Sequence, residues 1–132
     1  MELLVAYGNT VAALGAAALL MLVQLLIADV LGIKAGHTPG GAISADHDNP
    51  LFRAVRVVAN TNESVAIFIL GVAFAVLNGG SPEYLSYAAW GYVLARAAYA
   101  ACYYLDLRPL RSVVFGVSLL MLVAVLAIGA FT

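Results

Sequence analysis

Long apolar runs make up most of the chain, and charged, glycine and proline residues interrupt them at only a few places. No charge occurs from Leu3 to Ala28, and this run predicts a helix over about 3–34 that stops at Gly36 and Pro39. It lacks the basic start of a secretory signal and is too long for such a signal's apolar core, so it reads as a retained membrane helix. The next segment, "GHTPGGAISADHDN", is rich in turn formers and has no helical period. Pro50, behind Asp48 or Asn49 as a cap, opens a second helix that "NGG" ends at 78–80. Ser81 and Pro82 open a third, to about Leu105, and Arg108 with Pro109 opens a fourth. The pattern predicts one all-α integral membrane domain, a bundle of four transmembrane helices over about 3–34, 50–78, 82–105 and 109–131.

Composition agrees with the pattern. The 132 residues are 64% hydrophobic and 10% charged, whereas soluble domains carry roughly a quarter charged residues. A span needs about 20 apolar residues, so this length suits a single small bundle. A net charge of -1 leaves no basic footprint for nucleic acid. Cys102, the single cysteine, cannot form an internal disulfide and reads as a packed small side chain. Lys34, Arg53 and Arg56 flank the first loop, Arg108 and Arg111 flank the third, and Arg96 lies late in helix three. All belong to one half of the bundle, which predicts loops one and three in the cytoplasm and both termini outside. Gly8, Ala12 and Gly15 form a small-residue stripe suited to close helix packing. Tyr84 and Tyr87 fit an interfacial belt, for which Trp90 is too deep. His37 and His47, ten residues apart in a loop, do not read as a metal site.

The polar residues inside the spans carry the functional signal. Arg53, Arg56, Asn60 and Glu63 are spaced 3, 4 and 3 residues apart, so they share an arc of roughly 80° on helix two. Glu63 lies about 15 Å deeper along the axis than Arg53. Arg53 can snorkel to the interface, but Glu63 cannot. An ionisable group at that depth costs at least ~2.5 kcal/mol on insertion scales, which predicts that Glu63 faces the bundle interior with a partner or water. On helix three, Tyr92, Arg96, Tyr99 and Tyr103 share an arc of roughly 60° and offer a guanidinium and phenols as partners. One reading is a buried ion pair of Glu63 and Arg96, with Asn60, that only fixes helix register. The other starts from charge: Arg53, Arg56, Arg96, Arg108 and Arg111 gather in one half, with Glu63, Asp29, Asp106, Asp46 and Asp48 as the nearby acids. Positive charge left over in a tyrosine-rich cavity suits an anionic ligand, because guanidinium holds carboxylates bidentately and keeps its proton.

These residues resemble those of the membrane-associated proteins in eicosanoid and glutathione metabolism, the MAPEG family. The family's Arg, Asn four residues on and Glu three further is matched by Arg56, Asn60 and Glu63, with Arg53 in addition. Its later Arg, a Tyr seven residues on and an Arg-Ser pair are matched by Arg96, Tyr103, Arg111 and Ser112, and Phe115 stands where some members carry Tyr. The resemblance implies a homotrimer with glutathione bound between neighbouring subunits on the cytoplasmic side. It implies that Arg53, Arg56, Asn60, Glu63, Arg96, Tyr99 and Tyr103 hold the tripeptide, with Lys34 near a position that is often basic in the family and helix one of the neighbour closing the site. Asp29 is read as an interfacial group or as a contact from a neighbouring subunit. Arg111 is the residue implied for chemistry: a thiol with an ordinary pKa near 8.5 is mostly protonated at neutrality, and a fixed guanidinium favours the thiolate. Ser112 would be a second donor, and Arg108 is the alternative to Arg111.

Three functions follow as expectations. The first is a glutathione-dependent transferase or peroxidase acting on a lipophilic electrophile or hydroperoxide that arrives through membrane lipid, in a bacterial inner membrane. The second is a non-catalytic lipid-binding or scaffolding protein of the same family. The third is a small proton-coupled exporter, although exporters of that size carry their glutamate in the first span rather than among arginines in the second.

Overall fold

The computed structural model describes residues 2–131. All its regular structure is helical: α1 Glu2–Ala6, α2 Gly8–Lys34, α3 Pro50–Leu77, α4 Pro82–Tyr104 and α5 Arg108–Ala130. The helix expected over 3–34 is interrupted at Tyr7, whose backbone departs from helical geometry. Helical hydrogen bonding continues across the irregularity, from Tyr7 N to Leu3 O and from Val11 N to Tyr7 O. The Tyr7 hydroxyl donates to Gly80 O over 2.6 Å, tying the chain's start to the α3–α4 turn.

Local chemistry fixes the other ends. Asn49 caps α3 by accepting from Leu51 N at 3.0 Å, and Ser81 accepts from Tyr84 N at the start of α4. Prolines sit in the first turn of α3, α4 and α5, where a missing N–H costs nothing. The α2, α3 and α4 helices close with the same paired carbonyl capture, as in Gly80 N to Ala75 O and Leu107 N to Cys102 O. That closure needs a left-handed residue: Gly36 and Gly79 supply it twice, and Asp106, at φ 57°, supplies it at the α4–α5 turn.

The bundle is built around α4, which packs most extensively on α5. Much of its length is buried, including Ala88, Ala89, Tyr92, Ala95, Tyr99, Ala100 and Tyr103, whereas α2 and α5 turn rows of leucine and valine outward. Water would penalise such surfaces, and hydrocarbon accepts them. Accordingly α2, α3 and α5 are long and apolar enough to cross a membrane. The 23-residue α4 is not among them; its tyrosines, serine and charged residues lower its hydropathy, and Tyr92, Arg96, Tyr99 and Tyr103 are buried against protein. Gly8, Ala12 and Gly15 are exposed, and within the chain α2 packs through Thr10, Ala13, Ala17, Gln24 and Ala28. Trp90 reaches the α2 backbone, donating from Nε1 to Asn9 O.

Two apolar clusters form the interior. The larger joins Phe68, Val72, Leu85, Ala89 and Val125, and the smaller joins Val57, Tyr99, Ala100 and Tyr103. Between them lies a polar layer in which Ser64 pairs with Tyr92 at 2.8 Å and Arg96 donates to Thr61 at 3.0 Å. This layer sets the floor of the site.

A close helix approach gives a test of the packing. A Cβ on Gly129 would lie 2.7 Å from the Phe74 ring and 2.9 Å from Ala75 Cα, whereas one on Gly116 meets nothing within 4 Å. Gly129→Ala should destabilise the detergent-solubilised protein by about 1–3 kcal/mol, read as a lowered thermal midpoint. Gly116→Ala should leave that midpoint in place.

Candidate functional site

Helix α3 presents two different faces. Ala54, Val57, Thr61, Ser64 and Phe68 are buried against α4. The row of Arg53, Arg56, Asn60 and Glu63 lies roughly 100° further round the helix, on the flank of the bundle. Glu63 therefore does not face the interior: its side chain is 62% exposed, and its ion partner is Arg56, 3.9 Å away and itself 40% exposed. The physical reason is that α3 uses its narrow stripe of Ala, Val, Thr and Ser for packing, which leaves the longer polar side chains at the edge of the seam.

The face expected on α4 is buried throughout. Tyr92, Arg96, Tyr99 and Tyr103 are 2%, 1%, 6% and 6% exposed. Arg96 does not pair with Glu63, which corrects the ion-pair expectation. It donates from Nη2 to the Thr61 hydroxyl and lies 4.4 Å above the Tyr99 ring. Tyr92 turns away to Ser64 and stacks on Phe68. Toward the α4–α5 turn, Tyr99 lies against Tyr103 with ring centroids 5.6 Å apart, and the Arg111 guanidinium sits 4.5 Å over Tyr103. Phe115 backs Tyr99 from α5. The order is cation, ring, ring, cation, each face-on contact using the negative face of the aromatic ring.

Asp106 and the loop before α3 close the mouth. The left-handed Asp106 directs its carboxylate to Arg108 Nε at 3.3 Å and to Arg111 Nη1 at 4.0 Å. Arg108 also lies 3.9 Å from Asp48 and is more exposed than Arg111. The Ser112 hydroxyl donates back to Arg108 O at 3.5 Å rather than standing beside the Arg111 guanidinium. Arg53 donates to the carbonyl of His47, and the His47 ring is hydrogen-bonded to Tyr103. Lys34 and Asp29 are exposed on α2, and no hydrogen bond or ion pair joins them to this cluster.

Sequence spacing thus identified the rows but missed Thr61 and His47. Thr61 had a signal, since it falls on the same arc as Val57, Ser64 and Phe68. His47 had none, because a loop without period reveals nothing of where it folds back.

Among the described residues, neither Arg53 nor Arg96 has a carboxylate within ion-pairing distance. Several buried polar atoms also lack any hydrogen-bond partner: Arg53 Nε, Arg96 Nε and Nη1, Arg111 Nη1 and Asn60 Oδ1. Such atoms each cost about 1–3 kcal/mol when left unpaired, more when charged. Four guanidinium donors and one amide acceptor fit a ligand with anionic oxygens and a donor nitrogen, such as a peptide with free carboxylates. If Arg111 meets this ligand, Asp106→Asn should strengthen binding of reduced glutathione about two- to fivefold in calorimetric titration, by removing a competing carboxylate while keeping a residue that tolerates left-handed backbone. Unchanged or weaker binding would place the ligand away from Arg111.

No curated protein and no solved structure gives a significant match to the chain. A family model described as MAPEG family matches residues 10–131, nearly its whole length. The match includes the α3 row, the α4 face and the Arg111–Ser112 pair at the head of α5, and the chain is accordingly an integral membrane protein belonging to the MAPEG family of eicosanoid and glutathione metabolism.

Proposed function

We propose that the protein is a glutathione-dependent membrane transferase or peroxidase that acts on lipophilic electrophiles or hydroperoxides. The observation that carries this reading is the unbalanced positive charge, above all Arg96, 1% exposed with two unpartnered guanidinium nitrogens. A bound tripeptide thiol would supply the nucleophilic or reducing sulfur. Arg53, Arg56 and Arg96 would take its carboxylates, and Glu63 and Asn60 would take its amino and amide N–H groups. Arg111, held flat on the Tyr103 ring, would keep its charge toward the sulfur and favour the thiolate, since it cannot lose its own proton.

The working form in this reading is a homotrimer. The exposed flank of Arg56 and Glu63 supports it, because lipid is a poor neighbour for that pair and a second subunit would cover it. The same reading has α4 as a fourth span, both termini outside and the mouth facing the cytoplasm of a bacterial inner membrane. A non-catalytic lipid-binding role is favoured by one observation: Ser112 is spent on its own helix backbone and Arg111 is shared with Asp106.

Titration of the solubilised protein with reduced glutathione, followed by heat and by the ultraviolet absorbance of the thiolate, separates the roles. Arg56→Ala and Glu63→Ala should weaken binding about 10- to 100-fold, as charge-assisted hydrogen bonds are lost. Arg111→Ala should still bind but lose the thiolate band. Equal behaviour of all three variants would defeat the assignment, and a well-folded wild type that binds no glutathione would favour the lipid-binding role.

A further inference from the structure

His47 is held at the mouth by tethers that do not involve its ring. Arg53 Nη1 donates to its carbonyl over 2.6 Å. Asp46 organises the turn, accepting from Asp48 N at its side chain and from Asn49 N at its carbonyl. Asp48 reaches Arg108 across the mouth at 3.9 Å. The ring itself stands edge-on to Phe52, with centroids 5.1 Å apart, and places Nε2 2.8 Å from the Tyr103 hydroxyl oxygen. Tyr103 is 6% exposed and carries Arg111 on its face. Tyr103 and Arg111 are anchored on helices, whereas His47 comes from the loop.

A phenol has one proton to give. A neutral imidazole can accept it at Nε2, and the Tyr103 oxygen then offers the pocket only lone pairs. A protonated imidazole must donate from Nε2, so the Tyr103 O–H is released to turn toward an anion. We propose that His47 is a positioning residue that decides whether Tyr103 donates to the pocket's ligand or accepts from it. That the ligand is glutathione rests on the function proposed above; the coupling of His47 to Tyr103 does not. The charged groups around the imidazole are Asp46 and Asp48 on the loop, Arg53 on α3, and Arg108 and Arg111 on α5 with Asp106 in the turn before it. A proton on His47 adds one positive charge beside the Tyr103 hydroxyl.

The test labels tyrosine at Cζ and histidine at the ring nitrogens and follows the full-length protein by NMR as pH is changed. In the ligand-free protein the Tyr103 signal should step at the His47 midpoint, and the step should be absent in His47→Gln, which keeps a hydrogen-bonding side chain but cannot titrate. Affinity for reduced glutathione should fall about three- to tenfold as pH rises through that midpoint, and should be flat there in His47→Gln and Tyr103→Phe. A Tyr103 signal indifferent to His47, or an unaltered pH slope in His47→Gln, would overturn the inference. A clear step in a protein that binds no glutathione would remove the glutathione reading and leave the coupling standing.

Discussion

A guanidinium that cannot give up its proton sits sealed inside a bundle whose outer surface is hydrocarbon-like, and the rest of the structure is arranged around it. Arg96 has one neutral hydrogen-bond partner and one aromatic face, and no carboxylate. A lysine could shed its charge in such a place, but an arginine cannot. The polar layer of Thr61, Ser64 and Tyr92 and the tyrosines toward the mouth make the position tolerable, because they supply oriented dipoles and polarizable faces where water is excluded. Stability alone offers no reason to keep the charge, since apolar replacements of buried ions are often neutral or better. Binding of an anion, as proposed above, would.

The fold class was legible in the sequence because lipid imposes a simple rule: every backbone group must be satisfied within a helix, and the side chains outside must be greasy. Proline and capping residues at Asn49–Pro50 and Ser81–Pro82 lie at observed helix starts for the same local reason. What misled was direction. Helical spacing placed Glu63 with Arg53, Arg56 and Asn60 correctly as a row, but periodicity says which residues share a face and nothing about what that face meets. Inward placement was inferred from the cost of a charge in lipid. The exposed flank shows how that inference failed: the stripe of small residues, not the polar row, decided how α3 packs.

The site divides into a deep part that is rigid and a shallow part that is assembled. Arg96, Tyr99 and Tyr103 lie on one helix at fixed intervals, wedged against α3 and α5, and their relative placement is set once α4 folds. His47, Asp48, Asp106, Arg108 and Arg111 come from a loop, a turn and a helix start, and long-range contacts bring them together. This division explains why motif spacing found the first group and only part of the second.

The turn at Asp106 carries a trade that bears on any attempt to improve this protein. Glycine is the comfortable residue for a left-handed helix stop, as at Gly36 and Gly79, and a side chain there costs on the order of 1 kcal/mol. A stability-driven redesign would put glycine at 106 and gain a tighter turn. It would also remove the carboxylate that Arg108 and Arg111 share, so the variant that best survived heating would be one in which two arginines had changed partners. Among the described residues Asp106 is the non-glycine with a left-handed backbone, and thermal screens alone would select against its charge.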